Sequence, residues 1–201
     1  MDIIMIGYAG ASGTEKIVRK KYDELKEKYP EWFLTKACEI NHSYDISGYP
    51  DKISDRNQKD RIRNILDGII LTTVKDDENV PLFLKCGEGG IMNTLWELGL
   101  IRKKGFVIDI LSIPIRQETV EISECYHLDP YRLESYGTYI AVVRSSAEAI
   151  SLLEKEGIEA DTIGYLNNTR DKILLFDTDK EVRFLDRPRA DELGKVIDKT
   201  D

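Results

Sequence analysis

Along the chain, unbroken apolar runs alternate with segments whose apolar residues recur three and four apart, and this alternation predicts the elements. Residues 2–8, DIIMIGY, are β-branched and apolar enough to be a buried strand. Gly7, Gly10 and Gly13 bracket the turn that follows, with Ser12 or Thr14 placed to cap a helix. Ile17, Val18, Tyr22 and Leu25 give that helix one apolar face. Pro30 ends it and opens another, with Trp32, Phe33 and Ala37 as core candidates. Residues 41–54, NHSYDISGYPDKIS, have the composition of a loop. From Asp55 to about Val74 the stripe Ile62, Ile65, Leu66, Ile69 and Ile70 predicts a helix, and residues 76–79 a polar turn.

The second half begins with a short buried strand over 80–85, a glycine turn over Gly87–Gly90, and a helix over 91–103 with Ile91, Leu95 and Leu98 on one face. Arg102-Lys103-Lys104-Gly105 reads as that helix's end, with cations at the negative pole and Gly105 as the cap. Strands are predicted over 106–111, 139–143 and 158–166, and a hairpin over 172–176 and 181–185. Helices are predicted over 117–126, over Ser145–Glu156 with Ser145 or Ser146 as cap and Gly157 as stop, and from Pro188 to about Ile197. A turn of helix starts at Asp129-Pro130, and Ser135-Tyr136-Gly137 is a tight turn. Consecutive strands near the end break a parallel-sheet rhythm. The expected fold is α+β, a mixed sheet packed with helices, as one domain over 1–201.

Composition narrows the partners. The 201 residues carry a net charge of -8, spread along the chain, which offers nothing to nucleic acid or an anionic membrane. No stretch approaches the length of about 20 apolar residues needed to span a bilayer, and Met1-Asp2-Ile3 lacks the basic start of a leader. Cys38, Cys86 and Cys125 are far apart and odd in number, and with only His42 and His127 they do not read as a zinc site. Free thiols suit a reducing compartment, so the expected location is cytoplasmic.

The richest stretch for chemistry is Lys85 to Gly99, KCGEGGIMNTLWELG. A helix start has unpaired N–H groups and a positive dipole end, and glycines in front let the backbone wrap an anion. Gly87, Glu88, Gly89 and Gly90 are therefore a candidate phosphate cradle, with Lys85 beside it able to grip phosphate. The plainer alternative is a tight strand-to-helix turn. The stretch is neither a Walker A loop, since no Lys-Ser/Thr follows, nor a GxGxxG fingerprint. Gly10, Ser12, Gly13 and Thr14 form a second candidate cradle of the same kind. Cys86, just before the helix, raises a nucleophile reading against that of a small core residue. Arg19-Lys20-Lys21 either faces a phosphate or is a solvated helix face, and Asp60, Asp67 and Glu97 form no metal-like group.

CGEGGIMNTLWELG, followed by Ile113-Pro114-Ile115-Arg116, Leu128-Asp129-Pro130, Gly137 and Ile163-Gly164, resembles the C-terminal domain of the AIR synthase-related superfamily, nearest its HypE-like branch. That superfamily includes AIR synthase, selenophosphate synthetase, thiamine-monophosphate kinase and the hydrogenase expression/formation protein HypE. The opening, DIIMIGYAGASGTEKIVRKK, and the ending, RFLDRPRADELGKVI, share the resemblance, which is weakest over 41–79, a divergent insert or helical segment. It implies ATP-dependent phosphoryl transfer with magnesium in a complete assembly. It also implies an N-terminal domain that supplies the acidic metal ligands and pairs into a dimer. The chain departs from the family pattern: Lys85 stands for the expected Asp, Gly87 for Thr, and Lys199-Thr200-Asp201 holds no cysteine for self-modification. The resemblance thus implies a C-terminal domain that binds a phosphate-bearing ligand, works with a separate N-terminal domain or as a homo-oligomer, and is not a competent kinase or synthetase alone. The alternative is a non-catalytic interaction or oligomerisation module that has kept the fold.

Overall fold

The computed structural model describes residues 1–40, 55–75, 78–176 and 181–197. The loop expected over 41–54 lies outside them. Strands β1 (Asp2–Ile6), β4 (Phe83–Lys85), β5 (Phe106–Asp109), β6 (Tyr139–Val143), β7 (Ala160–Leu166), β8 (Lys172–Leu175) and β9 (Val182–Phe184) make one sheet in the order β4-β6-β1-β7-β5-β8-β9. Neighbours run antiparallel except β5 and β8, which are parallel. A separate ribbon pairs β2 (Thr72–Lys75) with β3 (Glu78–Pro81). The fold is α+β with a mixed sheet packed by helices, as the strand rhythm implies.

The unbroken apolar runs exist because the middle of the sheet is covered on both faces. Ile3 and Met5 of β1, with Ile140 and Val142 of β6, point toward helix α5 (Gly90–Arg102) and its Ile91, Leu95 and Leu98. The alternate residues Ile4, Ile6, Tyr139, Ala141 and Val143 join a second layer under α4 (Asp55–Ile65) and α7 (Ser146–Lys155). A third cluster ties α1 (Ala11–Lys20), α2 (Tyr22–Leu25), α3 (Glu31–Cys38) and α6 (Gln117–Cys125) through Ile17, Val18, Leu25, Phe33, Leu34 and Ile122. No helix among the described residues is long and apolar enough to cross a membrane.

Several expectations change. The helix predicted to Val74 stops at Ile65: Gly68 adopts φ 76° and turns the chain, and Thr72–Lys75 becomes a strand. The stripe still works, since Leu66, Ile69 and Ile70 stay buried and Ile70 bridges to Val143. The run over 80–85 is divided between β3 and β4. The left-handed cap of α5 is Lys103, not Gly105, which lies so near the Asp171 backbone that a Cβ would come within 2.6 Å of its nitrogen. Trp32 is 68% exposed and is no core residue. The terminal helix is only a 3-10 turn over Glu192–Lys195, capped by Asp191.

Helix α7 has two anchors at its start. Ser145 accepts the Glu148 N–H, and the Asp2 carboxylate accepts the Ser146 N–H at 2.9 Å. That backbone hydrogen bond holds the Asp2 carboxyl below its ordinary range. A depressed carboxyl contributes stability above its unfolded value and loses it as pH falls through the folded one. Thermal unfolding measured between neutral pH and about pH 3 should therefore show a shallower acid loss for Asp2→Asn than for the unaltered chain.

Candidate functional site

The glycine turn forms where β4 runs into α5. Gly89, the residue before the helix, has φ 75°, and Gly90 has φ 62°. Left-handed geometry at two successive positions strongly favours glycine, because a Cβ there strikes the backbone. A Cβ on Gly90 would lie 2.5 Å from the Tyr131 carbonyl oxygen and 2.7 Å from that of Leu133. The turn is therefore clamped by the segment Tyr131–Gly137, and the Ser135 N–H donates to the Gly87 carbonyl at 3.2 Å.

The amino end of α5 receives an anion from the chain itself. The Gly89 N–H donates to the Asp191 carboxylate at 2.5 Å, and the same carboxylate accepts the Leu193 N–H at 2.7 Å and the Glu134 N–H at 3.3 Å. Beside it the Asn93 amide grips the backbone of Arg189 in both directions, donating to its carbonyl at 3.1 Å and accepting its N–H at 3.3 Å. A cavity of about 350 Å³ lies here, lined by Glu88, Gly89, Asn93, Arg189, Asp191 and Lys195 among others. Lys85 points along the other side of the turn. Its ammonium lies 4.9 Å from the Tyr136 ring centroid, and partial burial lowers its pKa. Lys16 approaches the same ring at 5.5 Å and pairs with Glu134 at 2.6 Å. Gly87 faces this ring too, for a Cβ there would be 3.1 Å from Tyr136 Cε1.

The second glycine turn converges on the same segment but is filled by it. The Gly10 N–H donates to Ser135 Oγ at 2.8 Å, and the Gly13 N–H to the Glu134 carbonyl at 3.0 Å. The hydroxyl of Ser12 donates to the Glu134 carbonyl, and that of Thr14 to the Gly10 carbonyl. Neither side chain caps α1, whose first residue follows Gly10 in a left-handed conformation. A Cβ on Gly13 would sit 2.5 Å from Leu133 Cγ. Close packing explains these glycines, and all four residues are buried.

The remaining candidates disperse. Cys86 is fully buried, and that burial pushes its thiol pKa up to about 12, which removes the nucleophile reading. Arg19 is engaged by Glu15 and the Cys38 carbonyl. His127 is exposed in a left-handed turn, and His42 lies outside the described residues. Among the described residues no group of three or more His, Cys, Asp or Glu could hold a metal ion. Sequence reasoning missed Lys16, Asn93, Tyr136 and Asp191. Only Asp191 left a signal, as an acidic cap ahead of the Glu192–Lys195 turn.

Comparison with known proteins places the fold. The family model of the AIR synthase related protein, C-terminal domain, matches residues 64–176, more than half of the chain. No curated protein matches the sequence. Among solved structures, HypE of E. coli, a hydrogenase maturation protein, superposes with a TM-score of 0.63 at 16% identity over 98% of this chain and 52% of that one. HypE in complex with ATP gives 0.62 at 15% identity over 98% and 52%. HypE in a HypE–HypF complex gives 0.62 at 18% identity over 93% and 53%. At these identities the likeness is one of fold, and the chain spans about half the length of the solved chains it matches. With the family model running from the end of α4 through the glycine turn and α5 to β8, the chain belongs to the AIR synthase related family and carries its C-terminal domain.

Proposed function

We propose that this chain is the C-terminal module of an ATP-dependent protein of the AIR synthase type. It binds the phosphate-bearing part of a ligand at Gly87–Gly90 and does not transfer phosphate alone. The observation that carries the reading is the Asp191 carboxylate on the Gly89 amide: the turn accepts an oxyanion at the positive end of a thirteen-residue helix. Lys85 and Lys16, far apart in sequence, reach the same ring beside it and supply positive charge. A HypE structure holds ATP, which supports a nucleotide as the ligand.

Phosphoryl transfer is mainly positioning and electrostatic stabilisation, with metal ions neutralising the developing charge. The residues of this site position and bind. Carboxylates for magnesium would come from an N-terminal domain, on the same chain or a separate one, or from a second copy in a homo-oligomer. The chain's location in this reading is the cytoplasm.

A second reading, a non-catalytic interaction module, draws on the same contact, since a carboxylate already fills the turn. Calorimetric titration of ATP separates the two. The phosphate reading expects saturable heat, with affinity reduced at least tenfold, about 1.4 kcal/mol, in Lys85→Glu. Absence of heat at millimolar ATP leaves the interaction module.

A further inference from the structure

We propose that residues 186–195 form a strap that competes with phosphate for the amino end of α5, with the Asp191 carboxylate as the competitor. The inference rests on the anion reading above and adds its regulation. The strap is tethered at both ends. Leu185 is buried against the α5 side of the sheet, and Leu193, Val196 and Ile197 pack on the cluster of α1, α3 and α6. Between the tethers residues 186–190 are exposed.

Two side chains pin the middle to the site. Asp191 takes the Gly89 N–H from the turn and the Glu134 N–H from the clamping segment, so one carboxylate bridges both walls. Asn93, on the first turn of α5, holds Arg189 by a reciprocal pair. A third contact comes from the Asp129 N–H to Glu192 at 3.2 Å. The contacts are few and polar; Arg189 is exposed, Asp191 half-buried and Glu192 buried, so the stretch through Arg189 and Asp191 can lift from α5 between its buried ends without unfolding the sheet.

A phosphate group and a carboxylate cannot share the Gly89 amide. They need the same donor, and two anions in contact repel. Phosphate entry therefore requires Asp191 to leave. The chain with its strap down is the low-affinity state, and apparent affinity is reduced by the fraction of molecules whose strap is open. The cavity of about 350 Å³ beneath Arg189 and Asp191 is the space a released strap would enlarge.

The test titrates inorganic phosphate into the unaltered chain, Asp191→Ala and Asp191→Asn, the last preserving side-chain size should alanine impair folding. In parallel, tryptic cleavage after the exposed Arg189 is timed with and without phosphate. The strap account expects phosphate affinity to rise at least tenfold in the variants. It also expects phosphate to speed cleavage of the unaltered chain severalfold, while the variants are cleaved fast throughout. Equal affinity in all three proteins overturns the strap. So does a gain in affinity without faster cleavage, because loss of charge alone would then explain it. Binding in none of them overturns the anion reading itself.

Discussion

Replacing Gly164 with valine should abolish cooperative folding or lower stability by about 3 kcal/mol or more, the range in which backbone collisions and overpacking fall. Gly164 lies in β7 at the one irregularity of its pairing with β1, opposite Ile3, and also pairs with Ile108 of β5. A Cβ there would run into the Val107 carbonyl oxygen and approach the Ile108 Cα at 3.0 Å. Those are backbone atoms of the neighbouring strand, so no rotamer change can make room. The damage would pass to β8 and β9, which join the sheet only through β5. Thermal unfolding followed by circular dichroism checks this. A variant with an unchanged, cooperative transition would show that the strands can separate more freely than their spacing indicates.

Replacing Gly90 with alanine should cost about 2–5 kcal/mol, the sum of a left-handed residue without glycine and a backbone collision. For a chain of this size that corresponds to a fall in Tm on the order of 10 °C. The two carbonyls it would strike, Tyr131 and Leu133, belong to the segment that also fills the Gly10–Gly13 turn. Pushing that segment away from α5 would loosen both turns together. The expected result is therefore a stability loss accompanied by weaker ATP binding at the turn. Alanine at Gly157, where the same left-handed strain meets nothing within 4 Å, provides the comparison. It should cost about 1–2 kcal/mol and leave binding intact.

These two glycines illustrate what could be read from the sequence. Strand–glycine–helix patterns announced both turns, and the unbroken apolar run of β1 announced a buried strand. The pattern could not say which turn stays available to an anion. That depends on Leu133–Gly137, more than a hundred residues from Gly10, whose carbonyl and hydroxyl oxygens take the amides of the first turn. Local periodicity also misled at Ile69 and Ile70. Their apolar spacing suits a helix, but Gly68 turns the chain, and they reach the same core layer from a turn and a bridge. Asp191 stayed hidden for a related reason: an acidic residue ahead of Leu193 reads as a local cap, and its second partner, Gly89, is apparent only once the chain has folded. Lys16 and Lys85 likewise become neighbours only through Tyr136.

The central claim is that a phosphate-bearing ligand binds at the amino end of α5. Its most direct test follows backbone amide resonances of the isotopically labelled chain while ATP is added. The account predicts saturable shifts at Gly87, Glu88, Gly89 and Gly90, with a response at Leu193 and Glu134 as the Asp191 carboxylate leaves their N–H groups. Amides of Gly10 and Gly13 should stay near their starting positions. Shifts confined to the Gly10–Thr14 turn, or none at millimolar ATP, would contradict it.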